Sequence, residues 1–344
     1  MDGSARKRHL KGRAEMTGLI SGIRGNRFAV FGRAGMDLFA GPIGTKSEDA
    51  SLFHADLGGS SANTCVGLVK LGSQAALVTS VSDDAVGRFC VNRLRHYGVE
   101  TRYVRAVGGE SRTSLAVYES RVEAFQNVIY RNGAADFQVT VADMDRVDYG
   151  DFTALITAGT VFAAEPSRSA TFHAFARARA AGLPVIFDID YRPYSWPSAE
   201  VASEVLSRAG AESDMIVGND EEFGFMAGGM ERGLAMARHL AARPGRIVIY
   251  KMGSQGAITL SDGQEIRTGI YPVTAVKPNG AGDSFLAGVL ASLAAGHDLR
   301  ASVLRGSAAA AIVVSRPGCA PAMPDSAVLE TFLASHPGPT HPGP

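Results

Sequence analysis

The segment VKPNGAGDSFLAGVL, residues 276–290, places two glycines and a carboxylate where a helix is predicted to begin. Apolar residues continue at helical spacing after Asp283, so the helix should start near Ala281. The free N–H groups and the dipole of a helix N-terminus favour an anion. Gly280 and Gly282 would let that anion approach the backbone without a Cβ in its way. The pattern predicts an anion site beside an acid.

Asp283 has two interpretations on this segment alone. An acid in the first turn of a helix ordinarily caps it or complements its dipole. Alternatively, the carboxylate takes a proton from a hydroxyl while the neighbouring N–H groups hold the charge of a transferred phosphoryl group. The sequence contains no G-x-x-x-x-G-K-[ST] loop, no G-x-G-x-x-G after the first predicted strand, and no H-R-D with D-F-G. Those absences disfavour a P-loop enzyme, a dinucleotide-binding fold and a protein kinase.

Composition limits the class of protein. The 344 residues contain 46% hydrophobic residues and equal numbers, 34 each, of basic and acidic residues, which suits a globular core and no nucleic-acid surface. Cys65, Cys90 and Cys319 form no C-x-x-C pair and indicate buried thiols in a reduced, cytoplasmic protein. No apolar run reaches the ~20 residues that span a bilayer, and the basic N-terminal segment lacks the apolar core of a signal peptide. We therefore expect neither a membrane nor a nucleic acid as partner.

The elements that must position the acid follow an α/β pattern. Predicted strands alternate with predicted helices over most of the chain, which indicates a mostly parallel, doubly wound sheet with helices on both faces. Two stretches alternate polar and apolar residues instead and predict a separate small β-sheet. The predicted division is a flexible extension (1–26), one α/β domain (27–335) with small-sheet segments at about 36–57 and 103–137, and a disordered tail (336–344).

Two motifs in order resemble one family. NGAGDSFLAGVL is similar to the second signature of the PfkB/ribokinase-like carbohydrate kinases, and DLGGSSANTCVGLVKLG, residues 56–72, to the first. The resemblance continues over about residues 27–330. It implies a ribokinase-like α/β domain with a small β-sheet lid. ATP and a sugar-like alcohol would meet between the lid and the carboxyl ends of the strands, where the γ-phosphoryl group passes to a hydroxyl.

The resemblance assigns roles to residues on the substrate side. Asp37 corresponds to an acid that grips sugar hydroxyls, although a loop-start cap would explain it too. Gly58, Gly59 and Asn63 match G-G-x-x-x-N, in which bare backbone and an amide contact a polyol. An ordinary turn at the start of a helix is the alternative for these three residues.

The resemblance also assigns residues to the nucleotide and to Mg²⁺. Asn219 and Glu222 match N-x-x-E, associated with phosphate and with a magnesium ion held by Glu222; a helix cap followed by first-turn acids is the alternative. The segment KMGSQGA matches a turn that binds ATP, for which a plain hairpin is the alternative, and 306–318 matches a helix near adenine. The ATP-turn residues are Lys251, Gly253, Ser254 and Gly256.

A departure from the family pattern bears on the substrate. The usual D-x-N-x-R reads Asp188, Asp190 and Arg192, and the extra acid favours charge recognition or a local Asp190–Arg192 pair. Together with the lead-in GRAGMDLFAGPIG, this is most similar to the subgroup of inositol catabolism that phosphorylates a keto-deoxy sugar acid, 5-dehydro-2-deoxy-D-gluconate. Arg33, Arg131 or Arg192 would then meet the substrate carboxylate.

Other functions remain open on the sequence. The kinase could act on 2-keto-3-deoxygluconate, fructose or a nucleoside, and a non-catalytic sugar-binding protein on the same fold is a further alternative. That last interpretation would require a broken G-A-G-D motif, whereas Asp283 is intact. An open edge of the lid sheet would also suit a homodimer.

The residues before Gly280 generate a prediction about monovalent cations. Many family members have an Asp-Thr pair here, and its Asp helps to hold an activating cation; this chain has Lys277 instead. We hypothesise that the lysine ammonium replaces the cation, because a fixed positive charge would oppose bound K⁺. Turnover should then change little when K⁺ is titrated against a bulky organic cation at constant ionic strength. A steep rise with K⁺ would refute the hypothesis.

Overall fold

The structure is a computed structural model and describes residues 19–121, 126–277, 279–336 and 338–339. Its larger sheet has the order β13-β12-β11-β10-β9-β8-β1-β4-β5. The strands from β11 to β5 are parallel, and β12 and β13 add an antiparallel hairpin. The bounds are β1 (Arg27–Phe31), β4 (Gln74–Ser82), β5 (Val104–Val107), β8 (Ala154–Ala158), β9 (Val185–Asp188), β10 (Met215–Asn219), β11 (Ile247–Lys251), β12 (Ala257–Ser261) and β13 (Gln264–Thr268).

A second sheet of four strands has the order β3-β2-β6-β7. Its central pair, β2 and β6, is parallel, and both outer pairs are antiparallel. The small sheet is therefore built from two hairpin-like pairs that are distant in sequence. Its strands are β2 (Gly35–Gly41), β3 (Leu52–Gly58), β6 (Ser114–Tyr118) and β7 (Asn127–Tyr130).

Helices cover both faces of the larger sheet because its strands are apolar on both sides. In β10, Met215 and Val217 belong to one buried cluster and Ile216 to the other. Helices α1, α2, α8 and α9 contribute to the first cluster, and α4 to α7 to the second. The helices are α1 (Ser60–Lys70), α2 (Ala85–His96), α3 (Val141–Asp145), α4 (Ser167–Ala180), α5 (Ala199–Ala211), α6 (Asp220–Met226), α7 (Gly233–Ala241), α8 (Ala281–Ala294), α9 (Leu299–Val314) and α10 (Ser326–Ser335).

The predicted boundary of the N-terminal extension was wrong at its inner end. Residues 19–23 are helical, and Leu19 and Ile23 pack into the first buried cluster. Apolar side chains at i and i+4 lie on one face of a helix, so this turn has core to bury. Residues 1–18 lie outside the described residues, and the prediction of flexibility for them is untested.

The small-sheet prediction needs one correction, and the tail another. Strand β5, inside the predicted segment 103–137, pairs with β4 at the edge of the larger sheet, because its backbone continues the parallel ladder there. In the predicted tail 336–344, His336 stacks on Phe332 with ring centroids 3.7 Å apart, so its ring is held by the last helix. Pro337 and residues 340–344 lie outside the described residues.

Other features of the described chain bear on the earlier expectations. The three cysteines are buried and free, as predicted. Within residues 19–339 as far as they are described, no helix combines the length and apolarity needed to cross a membrane.

Leu52, Val128 and Tyr130 expose apolar surface on the small sheet. Dimerisation through this sheet stays a prediction, which sedimentation at micromolar protein would test.

Helices α8 and α9 approach each other through two glycines. A Cβ on Gly288 would lie 2.9 Å from the Cα of Gly306, and a Cβ on Gly306 would lie 2.7 Å from the carbonyl oxygen of Phe285. Such distances leave no room for a methyl group unless backbone moves. This contact therefore fixes where α8 lies and where its first turn points.

We predict that Gly288→Ala destabilises the protein by about 1–3 kcal/mol, the usual effect of overpacking a tight core. Urea unfolding at fixed temperature measures the change. Gly210→Ala is the matched control, because it lies in α5 with its nearest neighbour, the Met226 Cε, at 3.4 Å from the new Cβ. That variant should be neutral or more stable by up to about 1 kcal/mol. Equal stability of Gly288→Ala and the control would show that the helix contact is not tight.

Candidate active site

A cavity of about 680 Å³ opens at the carboxyl ends of the parallel strands, beneath the small sheet. Strands β1, β8, β9, β10 and β11 each end at this edge, and their last residues or the loops after them line the cavity. Open α/β sheets bind ligands at this edge because the loops that follow parallel strands meet there. The volume is in the range of ~300–1,000 Å³ that small-molecule sites occupy.

The first turn of α8 faces this cavity with no side-chain cap. Gly280 is the N-cap residue in the left-handed conformation, with φ of 82°, and among the residues that the structure describes no side chain accepts from the first-turn N–H groups. A Cβ on Gly280 would lie 3.2 Å from Val313 and 3.3 Å from the Cys319 sulfur, so only glycine fits here without strain. Ala281 and Gly282 both line the cavity. The helix start that the sequence predicted therefore faces the cavity, and anion binding there stays a prediction.

Asp283 lies in that turn and is held by an amide from another helix. The Nδ2 of Asn63, in α1, donates to its Oδ2 at 2.9 Å. Burial and the charge of Asp190 raise the pKa of Asp283 to about 6, and the Asn63 hydrogen bond acts in the opposite direction. At neutral pH the carboxyl is mostly ionised but much more basic than an exposed aspartate. It has the properties of a general base.

Asp37 occupies the opposite wall, on β2. It is almost fully buried, its Oδ1 has no hydrogen-bond partner, and it lines the cavity. Burial raises its pKa to about 7, against the effect of the Arg33 guanidinium. A Cβ on Gly58 would lie 1.9 Å from the Asp37 carboxylate, so that glycine makes room for the acid. A buried acid without a partner is suited to accept from a ligand hydroxyl.

A lysine ammonium lies among acids where β9, β10 and β11 end. Burial lowers the pKa of Lys251, but the carboxylates of Asp188 and Glu222 outweigh this effect, so the net pKa is raised. Burial raises the pKa of both acids. No hydrogen bond or ion pair joins the ammonium to any residue in the described part of the chain. Its Nζ lies 3.5 Å from where a Cβ on Gly282 would be, next to the uncapped turn.

Asn219 and Glu222 form a reciprocal helix cap. The Asn219 Oδ1 accepts from the Glu222 N–H at 2.8 Å, and the Glu222 Oε2 accepts from the Asn219 N–H at 2.7 Å. The capping interpretation of this motif is therefore correct in geometry, but both residues also line the cavity. The second Glu222 oxygen and Asp188 offer hard oxygen ligands of the kind that Mg²⁺ prefers. In the described part of the chain, no three His, Cys, Asp or Glu side chains cluster as a metal site.

The remaining charged pairs involve two predicted substrate residues. The Arg192 Nη2 lies 2.7 Å from the Asp190 Oδ1, which bears out the local pair. Asp190 has a φ of 33°, a conformation that aspartate tolerates better than most residues. Arg131 forms a buried ion pair with Asp136. All four charges sit in or beside the cavity wall.

Most of the predicted site residues come together in this cavity, but three lie outside its lining. Gly58 lies behind Asp37, Ser254 is exposed in the turn after β11, and Lys277 is buried behind the α8 turn. The Lys277 ammonium donates to the backbone carbonyl of Asn279, and burial lowers its pKa. Sequence reasoning missed several lining residues, because nothing in the pattern of a single strand or loop marks them: Tyr118, Asn127, Ile129, Thr160 and Tyr194.

Comparison with known proteins identifies relatives over nearly the same span. The family model for pfkB family carbohydrate kinases matches residues 26–326. The 5-dehydro-2-deoxygluconokinase of Photobacterium profundum is 36% identical over 310 residues, which cover 88% of this chain and 93% of that protein. The 5-dehydro-2-deoxygluconokinase of Geobacillus kaustophilus is 35% identical over 314 residues, 90% of this chain and 94% of that protein.

The fold also matches solved structures. A putative ribokinase II from E. coli in complex with ATP and Mg²⁺ superposes with a TM-score of 0.80 at 21% identity, over 90% of this chain and 100% of that one. The arrangement of a doubly wound sheet with a second, small sheet is thus a known fold, as the sequence predicted.

Proposed function

Because the chain belongs to the pfkB family of carbohydrate kinases, we propose that it transfers the γ-phosphoryl group of ATP to the terminal hydroxyl of 5-dehydro-2-deoxy-D-gluconate. The observation that carries this proposal is the pairing of Asp283, an acid with a raised pKa, with the uncapped first turn of α8. The two curated relatives named for that substrate support the choice of acceptor.

The proposed reaction uses one residue as base and the helix turn as the anion hole. The substrate hydroxyl lies against the Asp283 carboxylate, and Asp37 and Asn63 hold its other polar groups. As the hydroxyl oxygen attacks the γ-phosphorus, Asp283 takes the proton and the N–H groups of Ala281 and Gly282 donate to the phosphoryl oxygens. ADP leaves from the opposite side of the phosphorus.

Lys251 completes the anion site in this proposal. Its ammonium lies 5.9 Å from the centre of the Phe285 ring and beside Gly282, and no hydrogen bond or ion pair holds it in the described part of the chain. A half-buried cation in that position would stabilise the charge on the transferred group. The turn with Gly253, Ser254 and Gly256 would then hold the nucleotide, as the sequence motif predicts.

Mg²⁺ is the metal that this ligand set fits. Glu222 and Asp188 line the cavity close to Lys251, and Mg²⁺ commonly takes one or two carboxylates, waters and substrate phosphates. Glu222 would hold it, with Asp188 close by. The ion would supply positive charge to the β- and γ-phosphates.

The small sheet would act as a lid over the substrates. Strands β2, β6 and β7 contribute Asp37, Tyr118, Asn127 and Ile129 to the cavity wall, so residues of both sheets would surround a bound ligand. Exclusion of water would prevent wasteful hydrolysis of ATP.

Use of ATP and the three buried free thiols together support a cytoplasmic location.

The function is tested with purified protein, ATP-Mg²⁺ and a panel of acceptors. We expect ADP release with 5-dehydro-2-deoxy-D-gluconate at a kcat/KM well above that with 2-keto-3-deoxygluconate, fructose or a nucleoside. A higher value with another acceptor would reassign the substrate but keep the kinase. Binding of sugars without any ADP release would favour a non-catalytic protein and overturn the proposal.

We predict that Asp283→Asn lowers turnover by about 10²–10⁴-fold, the typical contribution of a general base. The amide keeps the shape and the hydrogen bond to Asn63 can be remade, so ligand affinity measured by calorimetry should change little. In the wild-type enzyme, kcat/KM should fall as the pH drops below about 6, because protonation of Asp283 removes the base.

Two results would remove Asp283 from this role. One is near-normal turnover of Asp283→Asn; the other is a variant that keeps the wild-type acid limb of its pH profile. Asp220→Asn provides the matched control, because that acid lies in the first turn of another helix and does not line the cavity. It should leave both turnover and pH profile unchanged.

A further inference from the structure

Three arginines line the cavity, and two of them already have a carboxylate partner. Arg131 is paired with Asp136, and Arg192 with Asp190 at 2.7 Å. The positive charge of each is therefore compensated within the protein. Arg33 differs from both, because it forms no ion pair with any acid in the described part of the chain.

Arg33 is a buried cation, and most of its N–H donors make no hydrogen bond in the described part of the chain. Its side chain belongs to a residue only 8% exposed, and its single hydrogen bond runs from Nη1 to the Ser114 Oγ at 2.8 Å. A guanidinium carries five N–H donors and does not lose its charge in a protein. Because no carboxylate forms a direct ion pair with it in the described part of the chain, its remaining N–H donors are available to an anion in the cavity.

The protein is shaped to hold this guanidinium in place. Gly35 starts β2 beside it, and a Cβ there would lie 2.8 Å from the Ser114 Oγ and 3.1 Å from the Arg33 Nη1. Glycine at this position leaves space for the Arg33–Ser114 hydrogen bond. The side chain is thus fixed between the loop after β1 and strand β6 of the small sheet.

The position of Arg33 suits the end of the substrate away from the transferred phosphoryl group. Arg33 donates to Ser114 of β6, so it lies on the small-sheet side of the cavity, where the charges of Asp136 and Asp37 also act on it. A chain-like acceptor with its hydroxyl at Asp283 would extend its other end towards Arg33.

We propose that Arg33 binds the carboxylate of the acceptor and thereby makes the enzyme selective for sugar acids over neutral sugars. The inference rests on the proposed function and assigns its substrate class to one residue. Arg131 and Arg192 then shape the wall through their internal ion pairs and are not the carboxylate partner. The recognised chemistry is a planar carboxylate, which the fork of a guanidinium matches with two parallel hydrogen bonds.

The test compares a sugar acid with its carboxamide. The kcat/KM values for 5-dehydro-2-deoxy-D-gluconate and for the uncharged amide are measured for the wild type, Arg33→Met and Arg33→Lys. Arg246→Met is the matched control, because Arg246 is also buried but donates to backbone carbonyls far from this cavity. Thermal melts and circular dichroism confirm that each variant is folded.

We expect Arg33→Met to lower kcat/KM for the acid by ~30-fold or more, as for the loss of one partner of a buried charge pair. The kcat/KM for the amide should fall much less, so the ratio of kcat/KM for the acid to kcat/KM for the amide should decrease strongly. Arg33→Lys keeps the charge but loses the fork, so its ratio should lie between those of the wild type and Arg33→Met. The control should keep the wild-type ratio even if it is less stable.

The possible outcomes separate this inference from the proposed function. If Arg33→Met keeps the wild-type ratio of kcat/KM for the acid to kcat/KM for the amide, the role of Arg33 is overturned and the kinase assignment stays intact. If Arg33→Met does not fold, the same conclusion follows from an unchanged ratio in Arg33→Lys. A wild type that phosphorylates the amide as well as the acid overturns the carboxylate selectivity in the same way. A wild type that phosphorylates only neutral sugars overturns both.

Discussion

The uncapped N-terminus of α8 is the constraint on which the rest of the site depends. Helix ends normally satisfy their free N–H groups with a side chain or solvent. Here the first-turn groups have no side-chain cap, and Gly280 starts the helix in a left-handed conformation where a side chain would meet Val313 and Cys319. The turn is therefore fixed by packing and left available to an anion. The close contact of Gly288 with Gly306 holds the rest of α8 in that position.

The cavity carries an unusual number of charges for a partly buried space. Asp37 and Asp283 have raised pKa values because the protein holds them away from water, and Lys251 stays charged because acids surround it. Burial raises the free energy of the charged form of each of these groups relative to water. Their arrangement is consistent with a site whose electrostatics are set before substrates bind, so that little reorganisation is needed during phosphoryl transfer.

The two ends of the cavity have different electrostatic partners. In the proposed reaction, Lys251 and the α8 turn would present positive charge and N–H groups to phosphate at one end, where Glu222 and Asp188 would present oxygens to a metal. At the small-sheet end, Asp37 can accept from hydroxyls and Arg33 can donate to a carboxylate. The proposed function thus gives the two ends of the acceptor different chemistry, and residues of both sheets line the cavity that would hold it.

Much of this could be predicted from the sequence because it depends on local pattern. Each of the following features depends on residues close together in the sequence. They are the glycines and Asp283 at the start of α8, the reciprocal cap of Asn219 and Glu222, and the alternation of strands and helices. The placement of β5 on the larger sheet could not be read locally, because its partner β4 is chosen by backbone pairing. The same limit applies to the packing of residues 19–23.

What only the tertiary structure decided is which charges are paired. In the sequence, Arg33, Arg131 and Arg192 are equivalent candidates for a substrate carboxylate. The fold pairs Arg131 with Asp136 and Arg192 with Asp190, and leaves Arg33 with a serine. The sequence by itself determined the residue types and the local patterns that start α8, cap α6 and alternate strands with helices. Distances between side chains from different elements arise only when the sheets pack, and electrostatic pairing depends on those distances.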